Sequence, residues 1–283
     1  MNDDSRFPSL RWGLSTLGCP EASLEQAVKT ADDFGMEFLE IRTISGSNKV
    51  SEMLGRPENH AAAERLVAAG RVRVLDSSFR IASTDPDAKA ELLNVARTAD
   101  EFGIPYIRLF GGFSGEPTPE VFRDCANNLT WFKAQKFRAR LALETHDGFA
   151  WSPRVLALME HCGEPIPVIW DAHHTFQSGG EPFADSFRAL RPHIIDVHFK
   201  DSHFGTRDGE RRLVQDLPGA GEVPLTELFA LLERERFDAP VVLEYEKLWH
   251  PYLPELPLAL AAWRKLIAKT GSCPDGTNAG GTK

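Results

Sequence analysis

The chain has 283 residues, enough for one large core or two modest domains, and its 42% hydrophobic content is ordinary for a globular protein. A formal net charge of −9, with basic residues such as Arg211 and Arg212 scattered rather than clustered, argues against a nucleic-acid partner. The opening MNDDSRFPSL lacks the basic start and apolar run of a leader, and no stretch approaches the roughly eighteen apolar residues that span a bilayer. The expectation is a cytoplasmic protein with no membrane partner.

Short apolar runs recur along the chain. In order they are RWGLS from Arg11, EFLEIR from Glu37, VRVLDSS from Val72, YIRLFGG from Tyr106, LALETH from Leu141, PVIWDAHH from Pro167, IIDVHFKD from Ile194 and VVLEYE from Val241. Each reads as a strand. Between them lie segments with apolar residues near i, i+3, i+4 and i+7, such as SLEQAVKTADDFG from Ser23, PDAKAELLNVARTADEFG from Pro86 and LTELFALLERERF from Leu225. Two of these end in Phe-Gly, a helix stop with glycine just past the last turn. Eight strands alternating with helices over about 260 residues fit a single-domain (β/α)8 TIM barrel. A doubly wound sheet is the runner-up, but GLSTLGCP after the first strand lacks the GxGxxG spacing that fold favours. One domain over residues 1–270 is expected, with its longest insertion at roughly residues 202–223. The tail at 271–283, GSCPDGTNAGGTK, is small and polar and is expected to be disordered.

Cys19, Cys125, Cys162 and Cys273 are widely spaced, with no CxxC pair, which suits a reducing compartment.

In a barrel of this kind the functional groups sit at the C-terminal ends of the strands. The fifth strand ends in Glu144, the sixth in Asp171, the seventh reaches His198 and the eighth ends in Glu244. Taken singly, each could be a solvated strand-end residue. Taken together they set three carboxylates and one imidazole at matching heights around one mouth, the donor set of a divalent metal ion. Oxygen ligands with one nitrogen suit Mn²⁺ or Mg²⁺, and Co²⁺ or Zn²⁺ is also compatible. Alternation turns His146 to the same side as Glu144, and Lys200 to the same side as His198. Lys200 is therefore a candidate contact for a substrate oxygen, or else a solvated lysine. Arg42 and Arg108 either reach the mouth as substrate contacts or form ion pairs. The segment EKLWHP, with Trp249, either walls the pocket or packs ordinarily.

The motifs ETHDG at Glu144, DAHH at Asp171, DVHFKDS at Asp196, GAGEVPL at Gly219 and LEYEKLWHP at Leu243 make the chain resemble the xylose-isomerase-like TIM barrels. That family includes sugar isomerases and epimerases. The resemblance covers about residues 10–268 and implies one divalent cation on Glu144, Asp171, His198 and Glu244. It also implies a substrate-contacting histidine three residues after the aspartate, which is His174, although alternation makes His173 a competitor. Glu144 and Glu244, on either side of the cluster, resemble the acid–base pair of the family's epimerases. His146 is expected to touch substrate and to protonate a leaving oxygen if the reaction is an elimination.

Together these features imply metal-dependent isomerisation or epimerisation of a keto-sugar or related polyhydroxy carbonyl compound. The rival is a lyase of the 3-keto-glycoside, inosose or dehydroshikimate type, which begins with the same proton abstraction. A repair endonuclease of the superfamily fits poorly, because SSF at Ser77 and RLF at Arg108 stand where further histidine ligands are wanted. A catalytically dead barrel would have little use for an intact ligand set. Whether copies of the chain form a homo-oligomer is left open.

Overall fold

The computed structural model describes residues 5–268, and in it the helices that open at Leu24, Pro86 and Pro119 begin on the side-chain caps Ser23, Asp85 and Thr118. The helices are α1 (Leu24–Phe34), α2 (Val50–Leu54), α3 (Pro57–Ala68), α4 (Pro86–Phe102), α5 (Pro119–Ala134), α6 (Ser152–Cys162), α7 (Phe183–Leu190), α8 (Leu225–Arg234) and α9 (Leu256–Ile267). At the start of α1, Ser23 and Gln26 satisfy each other's backbone amides in a capping box. The two Phe-Gly stops hold: Gly35 and Gly103 follow α1 and α4 with φ of 68° and 80°, the left-handed conformation that glycine adopts at least cost.

The strands are β1 (Arg11–Ser15), β2 (Phe38–Glu40), β3 (Val74–Arg80), β4 (Tyr106–Phe110), β5 (Arg140–Glu144), β6 (Val168–Asp171), β7 (Ile194–Phe199), β8 (Asp201–Arg207), β9 (Glu210–Asp216) and β10 (Pro240–Leu243). Eight of them form one parallel sheet in the order β2-β1-β10-β7-β6-β5-β4-β3. Its outermost members also meet. Ile41, just past β2, bridges Leu75 of β3, and the amide of Asp76 donates to the carbonyl of Ile41 at 3.2 Å. This sequential order, returning on itself, is that of a (β/α)8 barrel and not of a doubly wound sheet, whose order reverses midway.

Period-two alternation sorts each strand into two faces. The outward face packs on the helices, as where Trp12 of β1 meets Phe229 at 4.9 Å and Trp263 at 5.2 Å between ring centroids, both edge-on. The inward face is apolar only low in the barrel, where Val74, Ala142 and Ile169 form a small cluster. Space there is short: a Cβ on Gly13 would lie 2.8 Å from Val242 Cγ2. Two residues further along the same three strands come Asp76, Glu144 and Asp171. The apolar plug thus gives way to a charged layer towards the C-terminal ends.

The insertion expected at about residues 202–223 is more ordered than its composition suggests. Strands β8 and β9 pair antiparallel from Asp201 with Asp216 to Arg207 with Glu210. The turn is Asp208-Gly209, with φ of 53° and 83°, a two-residue hairpin turn that needs positive φ at both positions. That Asp-Gly pair was the signal for the hairpin. The expected tail at 271–283 lies outside the described residues. Cys19, Cys125 and Cys162 are free, and no helix among the described residues is long and apolar enough to cross a membrane.

Candidate functional site

Glu144 ends β5, Asp171 ends β6, His198 lies one residue before the end of β7, and Glu244 directly follows β10. Barrel closure brings these four together. Each offers one donor atom, the four atoms lie within 4.8 Å of one another, and all four side chains are buried. His198 Nδ1 sits 3.1 Å from Glu144 Oε1 and 3.6 Å from Glu244 Oε1.

The other oxygens of the two glutamates are held by fixed cations. Arg108 donates to Glu144 Oε2 and also lies 3.3 Å from Asp76 Oδ1, while Arg42 Nε is 3.0 Å from Asp76 Oδ2. Across the barrel Lys200 donates to Glu244 Oε2, to Asp171 Oδ2 at 2.6 Å and to Glu246 Oε1 at 2.8 Å. Arg42 and Arg108 are therefore drawn into ion pairs, and Lys200 is only 2% exposed.

These contacts separate the carboxyls electrostatically. Burial would raise Glu144, but Arg108 and His198 hold it well below the usual carboxylate range. Burial pushes Glu244 up to about 7 despite Lys200. Asp171 is lowered: burial opposes ionisation, but His174 and Lys200 outweigh it. Burial works against the charge on His198 too, yet Glu40, Glu244 and Glu144 hold its imidazolium well above the ordinary histidine value.

The donor set fits a divalent ion. Six carboxylates, those of Glu40, Asp76, Glu144, Asp171, Glu244 and Glu246, face four cations, Arg42, Arg108, Lys200 and the His198 imidazolium. Buried negative charge in that excess is costly unless compensated, and oxygen-rich sites with one imidazole take hard or borderline dications. Glu40 pairs with His198 through Oε2 at 2.8 Å, but its buried Oε1 has no hydrogen-bond partner.

Three histidines surround the cluster. His146, two residues past the end of β5, is partly exposed; its Nδ1 lies 2.9 Å from Asp147 Oδ1, and its ring meets Phe110 edge-on at 5.4 Å and His174 at 4.3 Å. His174 opens a short π-helical turn, His174–Ser178, a local widening often found at functional positions. Its amide donates to Asp171 Oδ1 at 2.8 Å, and its Nδ1 is 3.4 Å from Asp171 Oδ2. His173 contacts Ser202 Oγ through Nε2 at 2.7 Å, so His174 is the one that shares a wall with His146. Trp249, 53% exposed, is not packed into the core.

The motif GAGEVPL is anchored by Asp201. Its carboxylate accepts the amides of Ser202 at 2.9 Å, Gly219 at 2.8 Å, Gly221 at 3.1 Å and Val223 at 3.1 Å. A Cβ on Gly221 would fall 2.3 Å from Asp201 Oδ1, so glycine alone lets the loop close on the residue that follows Lys200.

Sequence reasoning passed over Glu40 and Asp76, and had Glu246 only within EKLWHP, a segment that either walls the pocket or packs ordinarily. Their signal was the one used elsewhere, a charged residue at an inward position of an apolar strand: Glu40 in EFLEIR, Asp76 in VRVLDSS, and Glu246 two residues beyond Glu244.

A closed parallel barrel with acidic and histidine side chains at its strand ends defines a class of proteins. The chain belongs to the xylose isomerase-like TIM barrel family, which it matches over residues 24–267. Among solved structures it is similar to the probable 3-DHS dehydratase AsbF involved in petrobactin synthesis from Bacillus anthracis, at 21% identity over 90% of this chain and 98% of that chain, with a TM-score of 0.68. It is also similar to the 3-keto-D-glucoside 4-epimerase YcjR from E. coli, at 13% identity over 91% and 98% of the two chains, with a TM-score of 0.68. A third is the IolI protein, solved with a zinc atom, at 14% identity over 91% and 96%, with a TM-score of 0.66. At these identities the likeness establishes the fold. The chain has no significant match among curated proteins.

Proposed function

We propose that the chain is a divalent-metal-dependent isomerase or epimerase of a keto-sugar or related polyhydroxy carbonyl compound. One observation carries this reading: Glu144 and Glu244 flank His198 Nδ1 at 3.1 and 3.6 Å, within a buried set of four donors that lie no more than 4.8 Å apart. Glu144, Asp171, His198 and Glu244 would hold the ion. Mn²⁺ or Mg²⁺ suits three carboxylates and an imidazole, and the similar IolI structure, with its zinc, supports a divalent metal of some kind. A dication held there supplies Lewis-acid polarisation of a carbonyl and its neighbouring hydroxyl, which makes the adjacent C–H acidic.

The chain's own residues then divide the proton work. Glu144 and Glu244 come from strands on either side of His198, so they approach a bound carbon acid from different faces. One takes the proton from the carbon next to the carbonyl, and the other returns a proton to the opposite face. General acid–base catalysis of this kind contributes roughly 10²- to 10⁴-fold. His146 and His174, stacked edge-on at 4.3 Å, form a wall that can hydrogen-bond substrate oxygens.

A lyase is the second reading, and His146 favours it. Its imidazole is the partly exposed group on that wall, and elimination needs a donor that hands a proton to the leaving oxygen. The similarity to a 3-DHS dehydratase and a 3-keto-glucoside epimerase covers both outcomes.

The test is a panel of keto-sugars and 3-keto-glycosides incubated with metal-loaded protein in deuterated water. Deuterium at the carbon next to the carbonyl, with an epimer or ketose–aldose pair as product, supports isomerisation. An unsaturated product would move the assignment to elimination, and no exchange with any substrate in the presence of bound metal would remove the proton-abstraction reading.

A further inference from the structure

Lys200 stands among the same carboxylates that would hold the ion. Its ammonium lies 2.6 Å from Asp171 Oδ2 and donates to Glu244 Oε2, and both residues belong to the four-donor set. Its third partner, Glu246 at 2.8 Å, lies outside that set. With 2% of its surface exposed, the ammonium has little water to fall back on, and a buried charge is tolerable only while it is paired.

We infer that Lys200 is the resident counter-cation of the ligand carboxylates and sets how tightly this site holds a divalent ion. Asp171 and Glu244, two like charges converging in a buried site, need positive charge whether or not an ion is present. Lys200 supplies it in the metal-free chain. A dication entering the same cluster meets an ammonium a few ångströms away in a medium that screens charge far less than water, so each cation weakens the other's hold on the shared carboxylates. Glu246 keeps the arrangement from failing when the ion arrives. It lies beyond the donor set, its Oε2 is 3.3 Å from His250 Nε2, and it leaves Lys200 a partner the ion does not use. The backbone beneath is fixed, because the next residue, Asp201, is tied to four amides. Arg108 differs from Lys200, since it touches only one member of the donor set, Glu144, and is otherwise engaged with Asp76.

This inference rests on Glu144, Asp171, His198 and Glu244 being the ligands, and its test separates the two claims. Mn²⁺ alone is titrated into metal-stripped full-length protein in competition with a chromogenic chelator, for the wild type, Lys200→Met and Lys200→Arg. Lys200→Met is expected to bind Mn²⁺ at least about tenfold more tightly, about 1.4 kcal/mol, while its metal-free form melts at a lower temperature than the wild type. Lys200→Arg keeps the charge and is expected to stay within a few-fold of the wild type. A residue that merely propped the ligands in place would give the opposite sign, so unchanged or weaker Mn²⁺ binding by Lys200→Met overturns the role of Lys200 while leaving the ligand assignment standing. A wild type that takes up none of Mn²⁺, Mg²⁺, Co²⁺ or Zn²⁺ overturns both. Glu246→Gln decides the matter if Lys200→Met does not fold without metal. Removing that outside partner leaves Lys200 to Asp171 and Glu244, so Mn²⁺ binding should weaken several-fold, and unchanged or tighter binding overturns the inference.

Discussion

His198 Nε2 lies 2.8 Å from Glu40 Oε2, on the opposite edge of the ring from the Nδ1 that faces Glu144. That contact defines which nitrogen is available. A neutral imidazole that donates its Nε2 proton to Glu40 presents an Nδ1 lone pair to the centre of the donor set, and such outer partners typically govern metal affinity by 10- to 100-fold. Glu40→Ala is therefore expected to weaken divalent-metal binding by about tenfold or more without touching any of the four donors. Chelator competition measures it, and wild-type affinity in the variant would show that His198 is oriented by something else.

The metal-free protein should lose stability as pH rises through the neutral range. Burial pushes Asp76 up to about 6 and Glu244 up to about 7, and the carboxylates around His198 hold it well above the ordinary histidine value. A folded pKa above the unfolded one contributes stability that is complete below the unfolded value and lost as pH rises through the folded value. For Asp76 and Glu244 that window runs from about 4 to about 7, and His198 extends it upward from about 6.5. Glu144 and Asp171 are shifted down, so their contributions are already in place above the unfolded carboxylate range and are lost only on acidification. His173 and His174, which burial lowers to about 4 and about 3, work the other way below about pH 6.5, so the metal-free melting temperature should fall between about pH 6.5 and pH 7.5, and Mn²⁺ should restore more at the upper end, where ligands shed protons more readily. A metal-free melting temperature that rises across this interval would contradict the prediction.

Glu144→Gln and Glu244→Gln should each slow deuterium incorporation from solvent next to the substrate carbonyl, because an amide cannot accept the proton. About 10²-fold is the expected loss for removing one acid–base group. Both side chains are also candidate ligands, so bound metal is assayed on the same samples. Wild-type exchange in metal-replete variants would reduce the glutamates to ligands alone.

His146→Ala should keep the metal, since His146 is not among the four clustered donors, yet lose at least about tenfold in turnover. The variant also distinguishes the two reactions. In an elimination, proton exchange survives better than product formation, because the missing imidazole serves the leaving oxygen. In an epimerisation the two fall together. Undiminished turnover would take His146 out of the mechanism.

Local pattern carried much of this protein. Eight apolar runs with helix-period segments between them, capped at Ser23 and stopped at Gly35 and Gly103, are legible because propensity, capping and period-two alternation are properties of neighbouring residues. The same rule placed Glu144, Asp171, His198 and Glu244 at equivalent strand ends before any distance was known. It applied equally to Glu40 and Asp76, which went unremarked only because they lie in earlier strands, away from the four motifs that shared one donor pattern.

Pairing is different in kind. Glu40 and His198 are 158 positions apart, and they meet only because β2, β1, β10 and β7 stand side by side around the barrel. Whether Lys200 faced solvent or three carboxylates, whether Arg108 stayed open or took the outer oxygen of Glu144, and which of His173 and His174 stood beside His146 depended on that closure and on a π-helical turn after β6. Sequence determined the face and height of each charged side chain, because those follow from one strand at a time. Tertiary structure decided the partners, because an ion pair depends on the distance between strands and on how much water the closed barrel leaves between them.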